Sequence, residues 1–289
     1  MKDFEYFAPR SLAEAHTLLQ ELGPDAKVIA GGTALTLLMK RGLVQPPCLV
    51  SLRLLPGLDD IAISDGKLRL GALCTHRQVE TSPLVRQQVP LLAEVFRQVA
   101  TVRIRHMATL GGALAHADPN QDSLTALLAL GARALLSSAQ GQRELPLEEF
   151  FLDYYETALK PNELVQEIRV PLPGPGSAAA FLKFLPRTAD DYATVSVAVA
   201  LRLEDGACRE ARIALGSAGP TPIRARKAEA ELAGRTLDDA TIASAAAIVR
   251  DEVDPLDDIR GSAAYKREMA AVFTRRALLA ALAGGPHAG

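Results

Sequence analysis

A short run of prolines and glycines near residue 174 constrains the fold of this chain more than any other sequence feature. The run is Pro171-Leu172-Pro173-Gly174-Pro175-Gly176, with three prolines and two glycines in six residues. Because proline lacks an N–H donor and glycine is conformationally free, neither a helix nor a strand continues through it. A chain of 289 residues also suits two domains at roughly 100–200 residues each. We therefore predict a domain boundary here, with one domain over 1–174 and a second over 177–284.

Composition and charge exclude several classes of protein. Hydrophobic residues make up 48% of the chain and charged residues 23%, as in an ordinary globular protein. The 32 Lys and Arg residues nearly balance the 34 Asp and Glu residues, so nothing sequence-wide attracts nucleic acid. The N-terminus lacks the basic-then-apolar order of a signal peptide, and no apolar run approaches the roughly 18 residues of a membrane span. We predict a cytoplasmic protein with no nucleic-acid partner and no membrane span.

The three cysteines, Cys48, Cys74 and Cys208, are far apart in the chain and form no CxxC motif. Metal centres and disulfide frameworks need suitably spaced ligands, so we predict buried, reduced thiols and no iron–sulfur cluster in this chain. His116 and Asp118 are close enough in sequence to begin a metal site, but no third ligand accompanies them. We therefore predict that this chain binds no metal ion.

Two double-glycine segments are the most informative features for function. Gly31-Gly32-Thr33 follows a short apolar strand and precedes a helix-like stretch, and Thr109-Leu110-Gly111-Gly112 opens a region without a clear period that we predict to be a loop. Glycine lets the backbone approach a ligand, and free amides in such a turn form a concave array suited to phosphate oxygens. Two such segments could hold the two halves of a pyrophosphate. The alternative is that each is merely a tight turn.

Periodicity and turn signals elsewhere predict a mixture of helices and strands, and therefore an α+β fold. The predicted elements are a helix from Ser11 to Gly23, strands at 27–30, 48–52, 68–73 and 164–172, helices at 34–39, 90–100 and 123–130, strands at 192–203 and 209–215 joined through Asp205-Gly206, and helices after Thr221. Asp122 or Ser123 is expected to cap the helix at 123–130.

Three further residues each have two interpretations, and one motif has a rival explanation. Asp122 is either only a helix cap or a partner for ligand hydroxyls. Lys183 lies in an apolar stretch and is either a functional cation or a side chain that strand alternation exposes to solvent. Tyr192 is either a core residue or a flat surface for stacking on an aromatic ligand. Residues 174–179 match a GxGxxA dinucleotide pattern, but prolines within and after it prevent the required helix, so we interpret it as a linker.

Together these segments resemble the FAD-binding medium subunit of the molybdenum hydroxylases. That family contains bacterial carbon monoxide dehydrogenase and the flavin domain of xanthine dehydrogenase. The segments that carry the resemblance, in the family's order, are Phe4-Glu5-Tyr6-Phe7-Ala8-Pro9, Ala30-Gly31-Gly32-Thr33, Ile104-Arg105-His106-Met107-Ala108-Thr109-Leu110-Gly111-Gly112, Ala117-Asp118-Pro119 through Asp122, and Asp191-Tyr192-Ala193.

The resemblance implies a FAD-binding domain of the vanillyl-alcohol-oxidase type (PCMH type) in two subdomains, at about 1–56 and 57–174. A C-terminal domain of the carbon monoxide dehydrogenase flavoprotein type then occupies 177–284. FAD would lie between the two glycine segments with their amides on its pyrophosphate, while Asp122 contacts the ribityl chain and Tyr192 stacks on the isoalloxazine ring. The cofactor-binding residues implied are Ile29, Ala30, Gly31, Gly32, Thr33, Ala34, Leu35, Thr36, Val99, Thr109, Leu110, Gly111, Gly112, Ala113, Asp118, Asp122, Val165, Lys183 and Tyr192.

The chain departs from the family pattern at two of these positions. Ala113 stands where the family often has Asn, and Ala34 stands where it often has a polar residue. We expect FAD binding to persist, because the pyrophosphate contacts implied by the resemblance are chiefly main-chain.

The resemblance also implies an electron-transfer role in a larger complex. In the family, a large subunit hydroxylates the substrate at a molybdopterin, a small subunit carries [2Fe–2S] clusters, and the flavin passes electrons to NAD, a quinone, a cytochrome or oxygen. We therefore expect large molybdopterin and small [2Fe–2S] partner subunits, assembled as a dimer of heterotrimers. Two other interpretations stay open: a self-sufficient FAD oxidase or reductase, which needs a catalytic base facing the flavin, and a flavin-free scaffold whose glycine segments are only turns.

Overall fold

A computed structural model describes residues 3–185, 187–188 and 190–284, and the fold is built on three main sheets. The first sheet is parallel, with strand order β1-β3-β2. Its region comprises β1 (Glu5–Phe7), α1 (Leu12–Leu22), β2 (Ala26–Ile29), α2 (Leu35–Lys40) and β3 (Cys48–Ser51). Helix α1 buries Ala15 and Leu19 against Val50, and Ser11 Oγ accepts the predicted capping bond from Glu14 N at 3.2 Å.

The second sheet has five antiparallel strands in the order β4-β5-β10-β6-β7. Its strands are β4 (Ile61–Ser64), β5 (Lys67–Gly71), β6 (Arg133–Ser138), β7 (Gly141–Pro146) and β10 (Leu164–Pro171). Between them lie α3 (His76–Thr81), α4 (Pro83–Gln88), α5 (Pro90–Gln98), α6 (Val102–Met107), α7 (Leu110–His116), α8 (Asp122–Ala129), α9 (Leu147–Phe150) and a small hairpin of β8 (Phe151–Asp153) and β9 (Glu156–Thr157). Phe96, Leu110, Leu127 and Ile168 belong to one buried cluster that joins these helices to the sheet.

The third sheet has four antiparallel strands in the order β11-β12-β13-β14, and helices follow it in the chain. Its elements are β11 (Ser177–Phe184), β12 (Val195–Glu204), β13 (Ala207–Gly216), β14 (Ile223–Arg224), α10 (Arg226–Leu232), α11 (Asp239–Ile248) and α12 (Ala263–Ala283). Asp205 and Gly206 both have positive φ, at 50° and 79°, which is the backbone of a tight hairpin turn. The predicted Asp-Gly hairpin is therefore confirmed.

The third sheet is covered on both faces, and this arrangement brings the two parts of the chain together. Phe181, Ala198 and Ala214 belong to the same buried cluster as α5 and α8. Val197 and Ile213 pack instead with α10, α11 and α12. Because neighbouring residues of a strand point to opposite faces, alternate residues of this sheet join two different cores. Helix α8 therefore lies directly against the third sheet, and the candidate site forms near this contact.

The α+β prediction is confirmed, and most predicted elements are present with small shifts at their ends. The strand predicted from Tyr192 starts only at Val195, and β14 precedes the helices predicted after Thr221. The rejection of a dinucleotide motif at 174–179 is confirmed, because strand β11 begins at Ser177 where such a motif would begin a helix. The linker interpretation holds only for 174–176, since residues 177–179 pair with β12. All three cysteines are buried and free. Across 3–185, 187–188 and 190–284, no helix combines the length and apolar character of a membrane crossing.

Candidate functional site

The two glycine segments, far apart in the chain, lie against each other in the structure. A Cβ atom on Gly31 would overlap the carbonyl oxygen of Met107 and would lie 3.2 Å from Cα of Ala108, directly before the second segment. Only glycine permits this approach of two backbones. The sequence therefore brings both predicted cradles to one place, as a shared pyrophosphate site requires.

The first segment has free backbone donors. Residues 31–34 lie between β2 and α2, and within the described chain none of their four N–H groups donates to a backbone oxygen. Gly32 has a φ of +69°, and its carbonyl accepts bonds from Thr36 N at 3.0 Å and Thr36 Oγ1 at 2.6 Å. These bonds fix the turn while leaving its amides available. Successive free amides of this kind form a concave site for anionic oxygens.

The second segment is different, and the prediction of a loop there was wrong. Residues 110–116 form helix α7, with Thr109 as its N-cap. Leu110 N donates to Cys74 O at 2.9 Å, and Gly111 N donates to Ala72 O at 2.8 Å. Gly112 N donates to Thr109 Oγ1 at 3.2 Å. The amides that we expected to be free are therefore already used by the protein.

Packing explains why a helix with two glycines forms at the second segment. A Cβ atom on Gly111 would lie 2.6 Å from Cβ of Ala72, so this glycine lets α7 approach the end of β5. Gly112 is exposed, and its Cβ would meet only Thr109 Oγ1, at 2.8 Å. Ala113 lies buried on the inner side of the helix. Gly112 is therefore the exposed glycine of the second segment, while Gly111 allows α7 to pack closely against Ala72.

A buried ion pair joins α8 to the third sheet. Lys183 Nζ lies 2.8 Å from Asp122 Oδ2, and the two side chains are 2% and 4% exposed. Lys183 Nζ also donates to the carbonyl of Gln98 at 3.2 Å. The solvent-facing interpretation of Lys183 is therefore wrong, because a partner in α8 replaces its hydration. The capping prediction was also wrong, since Gln121 precedes the helix without a side-chain cap and Asp122 lies in its first turn.

Asp122 has one oxygen with no partner. Its Oδ1 is buried and makes no hydrogen bond within the described residues. Burial raises the pKa of Asp122 from 3.8 to about 6, although Lys183 acts to lower it. A buried acceptor without a donor is costly to a folded protein. A ligand hydroxyl that donates to Oδ1 would satisfy this atom.

Tyr192 is 52% exposed and precedes the third sheet's strand β12. The interpretation of Tyr192 as a plain core residue is therefore wrong, whereas a stacking surface is available. The guanidinium of Arg260 lies 6.0 Å from its ring centroid. Burial of the hydroxyl end and the nearby Asp118 carboxylate raise the pKa of Tyr192. Asp118 is itself buried, and its Oδ1 accepts from Asn120 N at 3.0 Å and Asn120 Nδ2 at 2.9 Å.

The remaining predicted site residues are two valines and the residues on either side of the first segment. Val99 is half-buried at the C-cap of α5, next to the Gln98 carbonyl that Lys183 contacts. Val165 is 5% exposed at an irregularity in β10 and belongs to the central core. Ile29 ends β2, while Leu35 and Thr36 begin α2, so they form the two sides of the first segment.

Sequence analysis missed Gln98 and Arg260 as parts of this site. Gln98 contributes only its backbone carbonyl, so its residue type carries no signal. Arg260 comes from the loop before α12 and donates to Ala193 O at 3.2 Å. Nothing in the local sequence around 260 links it to Tyr192. No group of three or more His, Cys, Asp or Glu side chains suited to a metal ion occurs in the part of the chain that the structure describes.

The donors and acceptors of the site suit FAD. Free amides at 31–34 match a pyrophosphate, the unpartnered Oδ1 of Asp122 matches a ribityl hydroxyl, and exposed Tyr192 matches an aromatic ring system. Gly31 lies against Met107 just before α7, Asp122 belongs to α8, and Tyr192 precedes strand β12, which packs on α8.

Comparison with known proteins agrees with this assignment. Residues 2–173 match the family described as the FAD binding domain in molybdopterin dehydrogenase, and 180–281 match the carbon monoxide dehydrogenase flavoprotein C-terminal domain. The chain is 36% identical to the carbon monoxide dehydrogenase medium chain of Hydrogenophaga pseudoflava over 97% of both chains. It is 38% identical to the alpha subunit of the 6-hydroxypseudooxynicotine dehydrogenase complex of Paenarthrobacter nicotinovorans, over 96% of this chain and 94% of the relative.

Comparison with solved structures indicates the same family. A chain of H. pseudoflava carbon monoxide dehydrogenase lacking the Mo-pyranopterin moiety superposes with a TM-score of 0.95 at 38% identity, over 98% of both chains. A chain of quinoline 2-oxidoreductase from Pseudomonas putida 86 superposes with a TM-score of 0.91 at 36% identity, over 98% of this chain and 99% of that chain. The chain therefore belongs to the FAD-binding medium-subunit family of the molybdenum hydroxylases, which are oxidoreductases.

Proposed function

We propose that this chain carries FAD between the [2Fe–2S] clusters of a small partner subunit and a final electron acceptor. A large molybdopterin subunit would oxidise the substrate in the same complex. FAD, when bound, accepts electrons singly or in pairs and passes them on. The names of the relatives support this role, since they are medium chains or subunits of dehydrogenases.

The free amides of residues 31–34 are the observation that carries the proposal. We assign the first segment, Ile29 to Thr36, to one side of the pyrophosphate, with the N–H groups of Gly31 to Ala34 donating to its oxygens. The second segment, Thr109 to Ala113, would form the opposite wall through the exposed surface of Gly112. Ala34 removes no donor from this scheme, because its backbone N–H is the group that binds.

Asp122, Lys183 and Tyr192 would place the flavin itself. Asp122 Oδ1 would accept a hydrogen bond from a ribityl hydroxyl, while Lys183 holds Oδ2 and keeps the carboxylate charged. Tyr192 would stack on the isoalloxazine ring. The flavin site would also be lined by Asp118, Val99 and Val165. These residues bind and orient the cofactor, and they exclude water from the buried side of the site.

The acidic groups of the site favour electron transfer over direct oxidation of a substrate by this chain. Asp122 is paired with Lys183, and Asp118 accepts two bonds from Asn120. A self-sufficient oxidase needs a base that is free to remove a substrate proton. Because the free Oδ1 of Asp122 is assigned to a ribityl hydroxyl, neither carboxylate is left for a substrate proton, and the subunit role is the better supported function.

The proposal extends to the organisation of the complex. We assign residues 1–174 to a FAD-binding domain with subdomains at about 1–56 and 57–174, and 177–284 to a C-terminal domain, since each contains one of the three sheets. The cysteines of this chain are dispersed and buried, so clusters and molybdenum would come from partner subunits. We propose a dimer of heterotrimers that works in the cytoplasm.

The test is to isolate the native complex and the chain alone. We expect the complex to contain flavin, iron and molybdenum, with FAD absorbance that changes when substrate is added. A complex without flavin, even after FAD is supplied, would exclude the FAD role. A chain that binds FAD and oxidises an organic substrate without any partner would support the self-sufficient enzyme instead.

A further inference from the structure

The loop before α12 is folded around a buried lysine. Lys266, in the first turn of α12, is 3% exposed, and its Nζ lies 2.8 Å from both Leu256 O and Asp258 Oδ1. Although burial acts to raise it, hydrogen bonds from Lys266 and Arg260 lower the pKa of Asp258 to about 2. Asp258 and Gly261 also exchange two backbone hydrogen bonds of 3.1 Å, which close the loop. The loop therefore gives Arg260 a fixed backbone position.

The guanidinium of Arg260 is held on one side and bonds to the backbone after Tyr192 on the other. Arg260 Nε and Nη2 donate to Asp258 Oδ2 at 3.0 Å and 2.6 Å. Two nitrogens of one guanidinium on one carboxylate fix its position and orientation. The third nitrogen, Nη1, donates to Ala193 O at 3.2 Å, and Thr194 Oγ1 donates to the Arg260 carbonyl at 3.5 Å. Arg260 thus joins the loop before α12 to the two residues that follow Tyr192.

The same guanidinium also contacts the Tyr192 ring. Its central carbon lies over the ring, 6.0 Å from the centroid. A cation over an aromatic face is attracted by the negative charge of that face. The Arg260 side chain is 18% exposed, whereas Tyr192 is 52% exposed, so the arginine is the more enclosed of the two. Arg260 therefore contacts Tyr192 from the protein side and leaves ring surface open to a ligand.

We propose that Arg260 is a positioning residue for the flavin, and that it acts through Tyr192. This inference rests on the proposed function, in which Tyr192 stacks on the isoalloxazine ring. By bonding to Ala193 O and contacting the Tyr192 ring, Arg260 orders the stacking surface before FAD binds. A surface that is already ordered loses less conformational entropy on binding and so gives a higher affinity.

Arg260→Gln, in the complex purified with its partner subunits, tests this role. Lys266 still pairs with Asp258 in this variant, so no carboxylate loses its last partner and the chain should fold. We expect FAD affinity to fall by about three- to tenfold. The fluorescence of bound flavin should rise, because a misplaced tyrosine quenches it less.

A double-mutant cycle shows whether Arg260 acts through Tyr192. Tyr192→Ala retains the free amides of residues 31–34, so it should bind FAD weakly but measurably. Arg260→Gln should then change FAD affinity and flavin fluorescence in the native background but not in the Tyr192→Ala background. A loss of affinity of the same size in both backgrounds would overturn the inference, because Arg260 would then act independently of Tyr192.

Arg267→Gln is the matched control. Arg267 bonds to the same loop, at Val253 O (3.4 Å) and Asp254 Oδ1 (3.0 Å). It should leave FAD affinity and flavin fluorescence unchanged, and a loss as large as that of Arg260→Gln would overturn the inference by showing that any weakening of the loop has this effect. Native affinity and fluorescence in Arg260→Gln would overturn it as well. A native complex that binds no FAD would instead refute the proposed function.

Discussion

The two glycine segments have similar sequences and opposite structures. Residues 31–34 form a turn whose amides are free, whereas Leu110, Gly111 and Gly112 all donate to acceptors of the protein itself. In the first segment glycine shapes a surface for a ligand. In the second, Gly111 permits a helix to pack against Ala72. A double glycine therefore does not by itself indicate a phosphate site, and the state of its N–H groups distinguishes the two cases.

The variant expected to distinguish the two segments most strongly is Gly31→Ala. The new methyl group would overlap the Met107 carbonyl and push the two segments apart. We expect the free energy of unfolding to fall by at least about 3 kcal/mol and FAD to be lost from the complex. Urea unfolding of the apo chain and flavin absorbance of the complex measure the two effects. Gly174→Ala is the control, since no atom lies within 4 Å of its Cβ position.

A nearly equal effect on the free energy of unfolding is expected from the titration of Asp122, at the start of α8. The pKa of Asp122 is raised by burial to about 6, so the folded chain binds this proton more tightly than the unfolded chain. Its contribution to the unfolding free energy should therefore fall by roughly 3 kcal/mol as pH rises from about 4 to about 6. Subtracting the pH profile of Asp122→Asn from that of the native apo chain isolates this contribution. A difference that increases with pH would contradict the assignment.

Gly111→Ala tests the packing role of the second segment. Its methyl group would lie 2.6 Å from Cβ of Ala72, so we expect a loss of about 2 kcal/mol in unfolding free energy. FAD affinity of the folded protein should change much less than in Gly31→Ala. Gly112→Ala is the companion variant, since Gly112 is exposed and its Cβ would meet only Thr109 Oγ1. Equal loss of FAD in the Gly111→Ala and Gly31→Ala variants would show that the two segments bind the ligand alike.

The smallest effect concerns the cap of α7. Thr109→Val keeps the shape of the side chain but removes the acceptor for Gly112 N, which should cost about 1 kcal/mol. The released N–H would face the second wall of the proposed pyrophosphate site, so FAD affinity should be retained or increased. Ser11→Ala, which removes the cap of α1, should cost a similar amount and leave FAD affinity unchanged. A large loss of FAD in Thr109→Val would show that the hydroxyl itself contacts the ligand.

Local signals account for what could be predicted from the sequence. The Asp205-Gly206 turn requires two left-handed residues, and the proline-rich run near 174 prevents regular structure, so both could be located in advance. Helix α7 could not, because two glycines weaken helix propensity and only the distant Ala72 explains Gly111. The burial of Lys183 depends on Asp122, which is remote in the chain. The left-handed backbone of Tyr155 could not be predicted, because tyrosine seldom adopts a positive φ.

The contact between Asp122 and Lys183 limits how this protein can be dissected. A fragment that ended at the proline-rich run would lose the ammonium group opposite Asp122 and the Phe181 ring in the adjoining core. It would also expose the face of α8 that packs on the third sheet, which includes apolar residues of the central core. The N-terminal portion expressed on its own should therefore aggregate or be degraded, and the later portion acts as its obligatory folding partner.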